Sequence, residues 1–296
     1  MKGIERVCAS LLLSALIAPA ALATPVTSGL DLWLDATDSA TVFDGTGLNP
    51  GDSGFSGGVS LWSDKSGAGR DASSAGALQP TYDSSAMNGK PAITFSGNAF
   101  FDLASAVSSS EETIFLVTRM FTNGDNEGPW LGNSTDGPGH GVPGAFFNDN
   151  DRYFVATGDG LFGFVSAPSP TTDTILMEIR SGDVVSVLEN GSIVLSGLAA
   201  PGTMEINTVG WFPFGDRHFF GEISEILVYS RTLSDSEVGR VQNYLSAKYA
   251  IPVESSGIPE PATLALLGVG LVGLGAMRHR RSAGRPSVLV KTGTKK

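Results

Sequence analysis

The chain has 296 residues, 30 acidic against 19 basic, for a formal net charge of −11 at pH 7. A surface so acidic repels nucleic acid and anionic lipid, which excludes phosphate binding led by Lys and Arg. The lone cysteine, Cys8, excludes a disulfide scaffold, and 38 glycines with few helix-forming stretches favour strands joined by tight turns.

The N-terminus reads as a cleaved secretory leader, residues 1–23. Lys2 and Arg6 form a basic start, Val7 to Ile17 an apolar stretch, and Ala21-Leu22-Ala23 an A-x-A cleavage site before Thr24. The apolar stretch is too short for a stable membrane span. Cys8 lies inside the leader and outside any lipobox, so the exported form is expected to lack thiols. Such a chain must stand on its hydrophobic core. Residues 24–257 carry about 28 acidic against about 10 basic side chains, over a length that all-β sandwiches commonly use as one domain.

Leu30 to Asp35 alternates with period two, putting Leu30, Leu32 and Leu34 on one strand face. Thr41 to Ser60, loaded with Gly, Asp, Ser and Asn, reads as a long surface loop. Pro91–Phe95 and Ala99–Leu103 are short strands across a Ser-Gly-Asn turn. Thr113–Thr118 is almost wholly apolar or β-branched, as expected of a central strand covered on both faces. Between Asn123 and Gly144 only Trp130-Leu131-Gly132 suits a strand.

Short strands are then expected at 145–147, 153–156, 161–165, 174–179 and 184–188. Asn190-Gly191 signals a type I′ hairpin into Ile193–Leu195. Thr208–Trp211 opens the last sheet portion, and Phe219–Tyr229 reads as the longest strand. A helix follows: Ser234 and Glu237 form a capping box, Val238, Val241, Leu245 and Tyr249 share a face, and Pro252 ends it. Strands without βαβ alternation, followed by one helix, predict an all-β antiparallel sandwich.

Four motifs in order, Trp33-Leu34-Asp35, Trp62 to Gly67, Asn88 to Ala92 and Gly221 to Ser234, resemble a laminin-G-like domain. That resemblance covers about Gly29 to Ile251 and implies a concanavalin A-like jelly roll. It also implies that the first and last strands pair, and that loops opposite the chain ends bind ligand.

A hydrolase needs two carboxylates on one face, about 5–5.5 Å apart if it retains configuration. Glu222 and Glu225 lie three apart, so on a regular strand they point to opposite faces. Glu225 is expected to satisfy a local backbone or basic partner instead. His140 and His218 fit neither a nucleophilic triad nor zinc spacing. No catalytic residue is assigned.

Asp125-Asn126-Glu127 and Asn148 to Asp151 place hard oxygen ligands on turns. The family resemblance implies Ca²⁺ at the rim in some members, so Asp149 and Asp151 are the metal candidates. Among four tryptophans, Trp33 and Trp62 belong to fold motifs, and Trp130, in a Gly-rich region, is the candidate sugar platform.

The chain closes on Pro259-Glu260-Pro261, an apolar run from Ala262 to Met277, and Arg278-His279-Arg280-Arg281. The run is about the minimum for a transmembrane helix, and Arg278, Arg280 and Arg281 form a cytoplasmic stop that places the preceding chain outside. This order resembles the PEP-CTERM sorting signal, here residues 258–281, which implies an exosortase partner and delivery to the cell surface or matrix. A basic tail, residues 282–296, extends past the usual end of that signal.

The sequence therefore predicts an exported, non-catalytic module that binds carbohydrate or matrix, with exopolysaccharide a candidate partner and the inner membrane an anchor before processing. A polysaccharide-active hydrolase and a purely structural coat protein are the alternatives.

Overall fold

The computed structural model describes residues 24–121, 127–134, 145–149, 153–157, 160–162, 170–213 and 216–254. The chain divides into two compact units, one ending at Glu254 and one beginning at Ser255. The leader, Asp151, His140, Pro259-Glu260-Pro261, the apolar run and Arg278–Arg281 lie outside the described residues. Among the described residues no helix is long and apolar enough to cross a membrane.

The first unit is built almost wholly of strands. In chain order they are β1 (Leu30–Asp35), β2 (Val42–Phe43), β3 (Leu61–Trp62), β4 (Ala72–Ser73), β5 (Thr81–Met87) and β6 (Lys90–Phe95). Then come β7 (Phe101–Ser109), β8 (Glu112–Met120), β9 (Glu127–Gly132), β10 (Ala145–Asp149), β11 (Tyr153–Thr157) and β12 (Gly160–Phe162). The remainder are β13 (Thr174–Ser181), β14 (Val184–Glu189), β15 (Ser192–Ala199), β16 (Met204–Val209), β17 (Trp211–Phe212), β18 (Arg217–His218) and β19 (Gly221–Tyr229). One helix, α1 (Asp235–Tyr249), follows them.

One sheet has the order β15-β14-β13-β8-β19-β6-β5, with β1 also on β19; the other runs β12-β11-β10-β9-β16-β7-β4-β3-β2. All of their pairings are antiparallel. The first and last strands pair, Leu30 opposite Tyr229 and Asp35 opposite Glu225. Residues of both sheets, among them Leu32, Phe95, Leu116 and Ile226 from one and Trp62, Phe101, Trp130 and Val209 from the other, share a single core. The sheets therefore face each other as a sandwich.

A second core lies on the other face of the first sheet. Phe115, Val117, Ile175, Met177, Leu227 and Tyr229 meet Val238, Val241, Tyr244, Leu245 and Tyr249 of α1 there. β19 is buried along its whole length and β8 at every residue but Arg119, because each contributes to both cores. The capping box at Ser234 is present, and Arg231 clamps Glu237 through two hydrogen bonds of 3.0 and 2.7 Å. That clamp, with the Ser234 N–H, holds the Glu237 carboxyl down at about 2.

At the Asn190-Gly191 turn both residues have positive φ, 49° and 84°, as a type I′ hairpin requires. The expected surface loop from Thr41 to Ser60 is tied down by Asp44, whose carboxylate accepts from the Thr46 N–H and hydroxyl, the Leu48 N–H and the Ser56 N–H.

Candidate functional site

β19 carries the two carboxylates that bear on catalysis. Its pairing with β8 shifts register between Ile223 and Glu225. On its other side the neighbour changes at this point, from β6 opposite Gly221–Ile223 to β1 opposite Glu225–Tyr229. The resulting bulge is fixed by Ser224, whose carbonyl accepts from the Ala36 N–H at 2.9 Å and whose hydroxyl donates to the Pro91 carbonyl. Ile223, Ile226 and Val228 all enter the inter-sheet core. Glu222 and Glu225 consequently project from the same outer face, and the expectation of opposite faces is corrected. One extra residue in the strand undoes the alternation.

Glu225 is 0% exposed. Its Oε1 accepts from Trp33 Nε1 and the Tyr244 hydroxyl, each at 2.8 Å. Its Oε2 accepts from Lys248 Nζ at 2.8 Å and the Tyr249 hydroxyl at 2.9 Å. Lys248 Nζ also reaches Asp35 Oδ1 at 2.8 Å, and Lys65 Nζ holds Asp35 Oδ2 at 2.9 Å and Asp38 at 2.8 Å. Burial resists ionisation of Asp35, but Lys248, Thr37 and Lys65 outweigh it and hold that carboxyl below its ordinary range. Burial and the neighbouring Asp35 charge push Glu225 upward, against Lys248 and Tyr244.

The Trp62–Gly67 motif wraps the same corner. Asp64 accepts from the Trp33 N–H at 2.9 Å, and Lys65 sits 4.5 Å over the Trp33 ring. Asn88 donates to the Tyr249 carbonyl. The motifs legible in the sequence therefore staple β1, β19 and α1 together.

Glu222 has a different neighbourhood. It pairs with Arg119, which also holds Asp173 at 3.0 Å. Burial pushes the Glu222 carboxyl up against the pull of Arg119. Beside this ion pair lies a cavity of about 370 Å³, lined by Asn88, Arg119, Thr171, Thr172, Asp173, Ile251 and Pro252.

A third acidic group sits between the sheets, which the sequence did not signal. Glu112 and Arg180 are cross-strand partners, 2.9 Å apart at the guanidinium Nε, and Glu178 is two residues from Arg180 on the same strand. All three are buried, and neither carboxyl oxygen of Glu178 has a hydrogen-bond partner. Burial pushes Glu112 up to about 7, and burial with the adjacent Glu112 charge pushes Glu178 well above its ordinary 4.5. Arg180 touches Glu112, so Glu178 is the carboxyl that keeps its proton.

The unfolded chain releases this proton near pH 4.5 and the folded chain only at higher pH. Stability from Glu178 is thus complete below 4.5 and is lost as pH rises from there through its raised folded-state value. Glu178→Gln is expected to flatten that decline and to stabilise by about 1–3 kcal/mol at pH 8. Urea unfolding at pH 5 and pH 8 measures it, and an equally steep decline in the variant would refute it.

The other predicted residues separate. Trp130 is corrected: it is 0% exposed in the inter-sheet core, its indole N–H donating to Thr118 Oγ1 at 3.0 Å. A ring closed off on both faces offers nothing to a sugar. Trp62 is also core, and Trp33 is half-buried beneath Lys65. Trp211, like Trp33 half-buried, lies on a strand outside the main sheets. Asp149 closes β10 opposite Glu127. Among the described residues no three His, Cys, Asp or Glu side chains gather as metal ligands.

Residues 257–281 match the family described as the PEP-CTERM protein-sorting motif. That motif marks an exported protein processed by an exosortase. No curated protein matches the chain. Similar solved structures include domain 4 of AbnA, a GH43 extracellular arabinanase from Geobacillus stearothermophilus, in complex with arabinotriose. It is 16% identical over 72% of this chain and 98% of that one, with a TM-score of 0.45. A GH54 α-L-arabinofuranosidase variant is 15% identical over 79% of this chain and 62% of its own, at 0.48. Trypanosoma rangeli sialidase is 14% identical over 80% of this chain, at 0.41, and only 36% of its length is spanned. Likeness of this degree bears on neither substrate nor activity.

Proposed function

We propose that the chain is an exported cell-surface or extracellular-matrix protein whose laminin-G-like jelly roll binds carbohydrate without cleaving it. The observation that carries this reading is the commitment of both β19 carboxylates. Glu225 is 0% exposed with both oxygens taken by four donors, and Glu222 is tied to Arg119. A retaining hydrolase needs one exposed carboxylate free to attack and another free to give a proton. The sorting motif supplies the exterior setting.

The test is affinity electrophoresis of the full chain through cellulose derivatives, amylose, arabinan, galactan and alginate, with and without calcium, alongside an assay for released reducing ends. Retardation without release is the expected result. A calcium requirement removed by Asp149→Asn with Asp151→Asn would add a rim metal to the proposal. The hydrolase reading keeps one support, the bulge that brings Glu222 and Glu225 to one face. Reducing ends released by the wild type and abolished by Glu222→Gln would replace binding with hydrolysis. A chain retarded by no polysaccharide would point to a structural coat role.

A further inference from the structure

We propose that the carbohydrate docks on an aromatic shelf formed by Trp211, Phe100 and His218, with Asp216 as its hydrogen-bonding rim; this rests on the binding reading above. Trp211 and His218 are directly opposed across the β17–β18 hairpin, so their side chains leave the same face. Their rings lie 6.4 Å apart and 28° from parallel. Phe100, entering β7, brings its ring to 5.0 Å from Trp211 and 6.3 Å from His218. All three side chains are half-buried, so the cluster is packed together yet keeps part of its surface open to solvent. The Phe100 N–H donates to the carbonyl of Leu78, which ties the start of β7 in place.

The rim is held in place by backbone geometry. Asp216 has φ of 52°, a left-handed conformation that Asp tolerates better than most residues. Its Oδ1 takes the Trp211 indole N–H at 3.3 Å and lies 3.2 Å from His218 Nε2, while the carboxylate stays 79% exposed. One acceptor oxygen therefore fixes two rings, and the other faces solvent at their edge.

The platform is rigid from below. The Trp211 carbonyl accepts from the Thr208 hydroxyl at 2.6 Å and presses so close to Gly132 that a Cβ there would meet it at 2.0 Å. Gly210, at φ of 87°, packs under Phe95 where a Cβ would meet the ring at 2.7 Å. A packed aromatic cluster with a carboxylate at its edge suits one chemistry. The C–H face of a pyranose or furanose packs on the rings, and its equatorial hydroxyls donate to Asp216. The exposed carboxylate and the acidic chain disfavour uronates and sulfated sugars, so the ligand class is a neutral glycan.

The experiment uses the full chain in detergent, with the neutral polysaccharides above and alginate as the anionic probe. Trp211→Ala and Phe100→Ala are each expected to weaken retention by at least about tenfold, and Asp216→Asn by a smaller factor, with alginate retained least. In the unsubstituted, ¹⁵N-labelled chain, adding the retained polysaccharide shifts the indole signal of Trp211 and leaves those of Trp62 and Trp130 in place. That measurement holds even where a variant fails to fold. Strong retention of the wild type with an unmoved Trp211 signal overturns the shelf and leaves the binding reading standing. Retention of alginate alone overturns the neutral-glycan assignment. Retention by no polysaccharide overturns both readings.

Discussion

Replacing Lys248 by Met is expected to destabilise the sandwich by about 3–5 kcal/mol, the cost of stripping the partner from buried charge. For a domain of this size that is roughly a 10 °C fall in Tm. Lys248 is the cation shared by Asp35 and Glu225, whose side chains are 5% and 0% exposed. Lys65 still covers the other oxygen of Asp35, so the uncompensated charge falls chiefly on Glu225. Two tyrosine hydroxyls and an indole N–H remain on that carboxylate, but they are neutral donors and do not cancel it.

The same geometry predicts its own rescue. Adding Glu225→Gln to Lys248→Met removes the orphaned charge, so the double variant should recover more than half of the loss. A double-mutant cycle in urea at pH 7 measures the coupling. If Lys248→Met costs under about 1 kcal/mol, the ion cluster is no buried staple but a hydrated surface pair.

The strands that alternate cleanly or are covered on both faces were legible: β1, β8, the β14–β15 hairpin and α1 with its capping box. Their side chains carry the burial pattern directly, and the I′ turn needs residues that accept positive φ. β5 was missed because Tyr82 and Ala86 are half-buried while Thr81, Asp83, Ser84 and Ser85 are exposed, which leaves no periodicity in an edge strand. The Ser224 bulge was missed because it arises from a change of neighbour, β6 to β1, that no local pattern encodes. The same limit applies to Trp130. Its Gly-rich surroundings and short strand signal do not encode burial, yet Gly128 is the residue that lets Phe219 approach, and Phe219 packs against the Trp130 ring. Trp211 is one of the four tryptophans, but Phe100 stands 111 positions away in the chain, and only the folded sheets bring the two rings into contact.

Replacing Arg180 by Met is the second change expected to cost about 3–5 kcal/mol at neutral pH, and its size should depend on pH. Arg180 is 0% exposed. Its guanidinium donates to the carbonyls of Ser109 and Gly202, each at 2.9 Å, and to Glu112 Oε2 at 3.2 Å. Without it, Glu112 and Glu178 face each other in the interior with no cation, and folding requires both to be protonated. Glu112 then rises beyond the value of about 7 that it has beside Arg180. Well below pH 7 the folded wild type and the folded variant both keep the two carboxyls protonated, so only the lost hydrogen bonds distinguish them there. The wild type releases its Glu112 proton as pH passes about 7, whereas the variant must keep that proton to fold, so the destabilisation should grow chiefly above pH 7. Unfolding at pH 4.5 and pH 8 therefore separates the charge from the packing: a loss equal at both values would show that Arg180 serves only as a hydrogen-bonded plug. Adding Glu178→Gln to Arg180→Met should halve the pH slope, since one of the two captive protons is then gone.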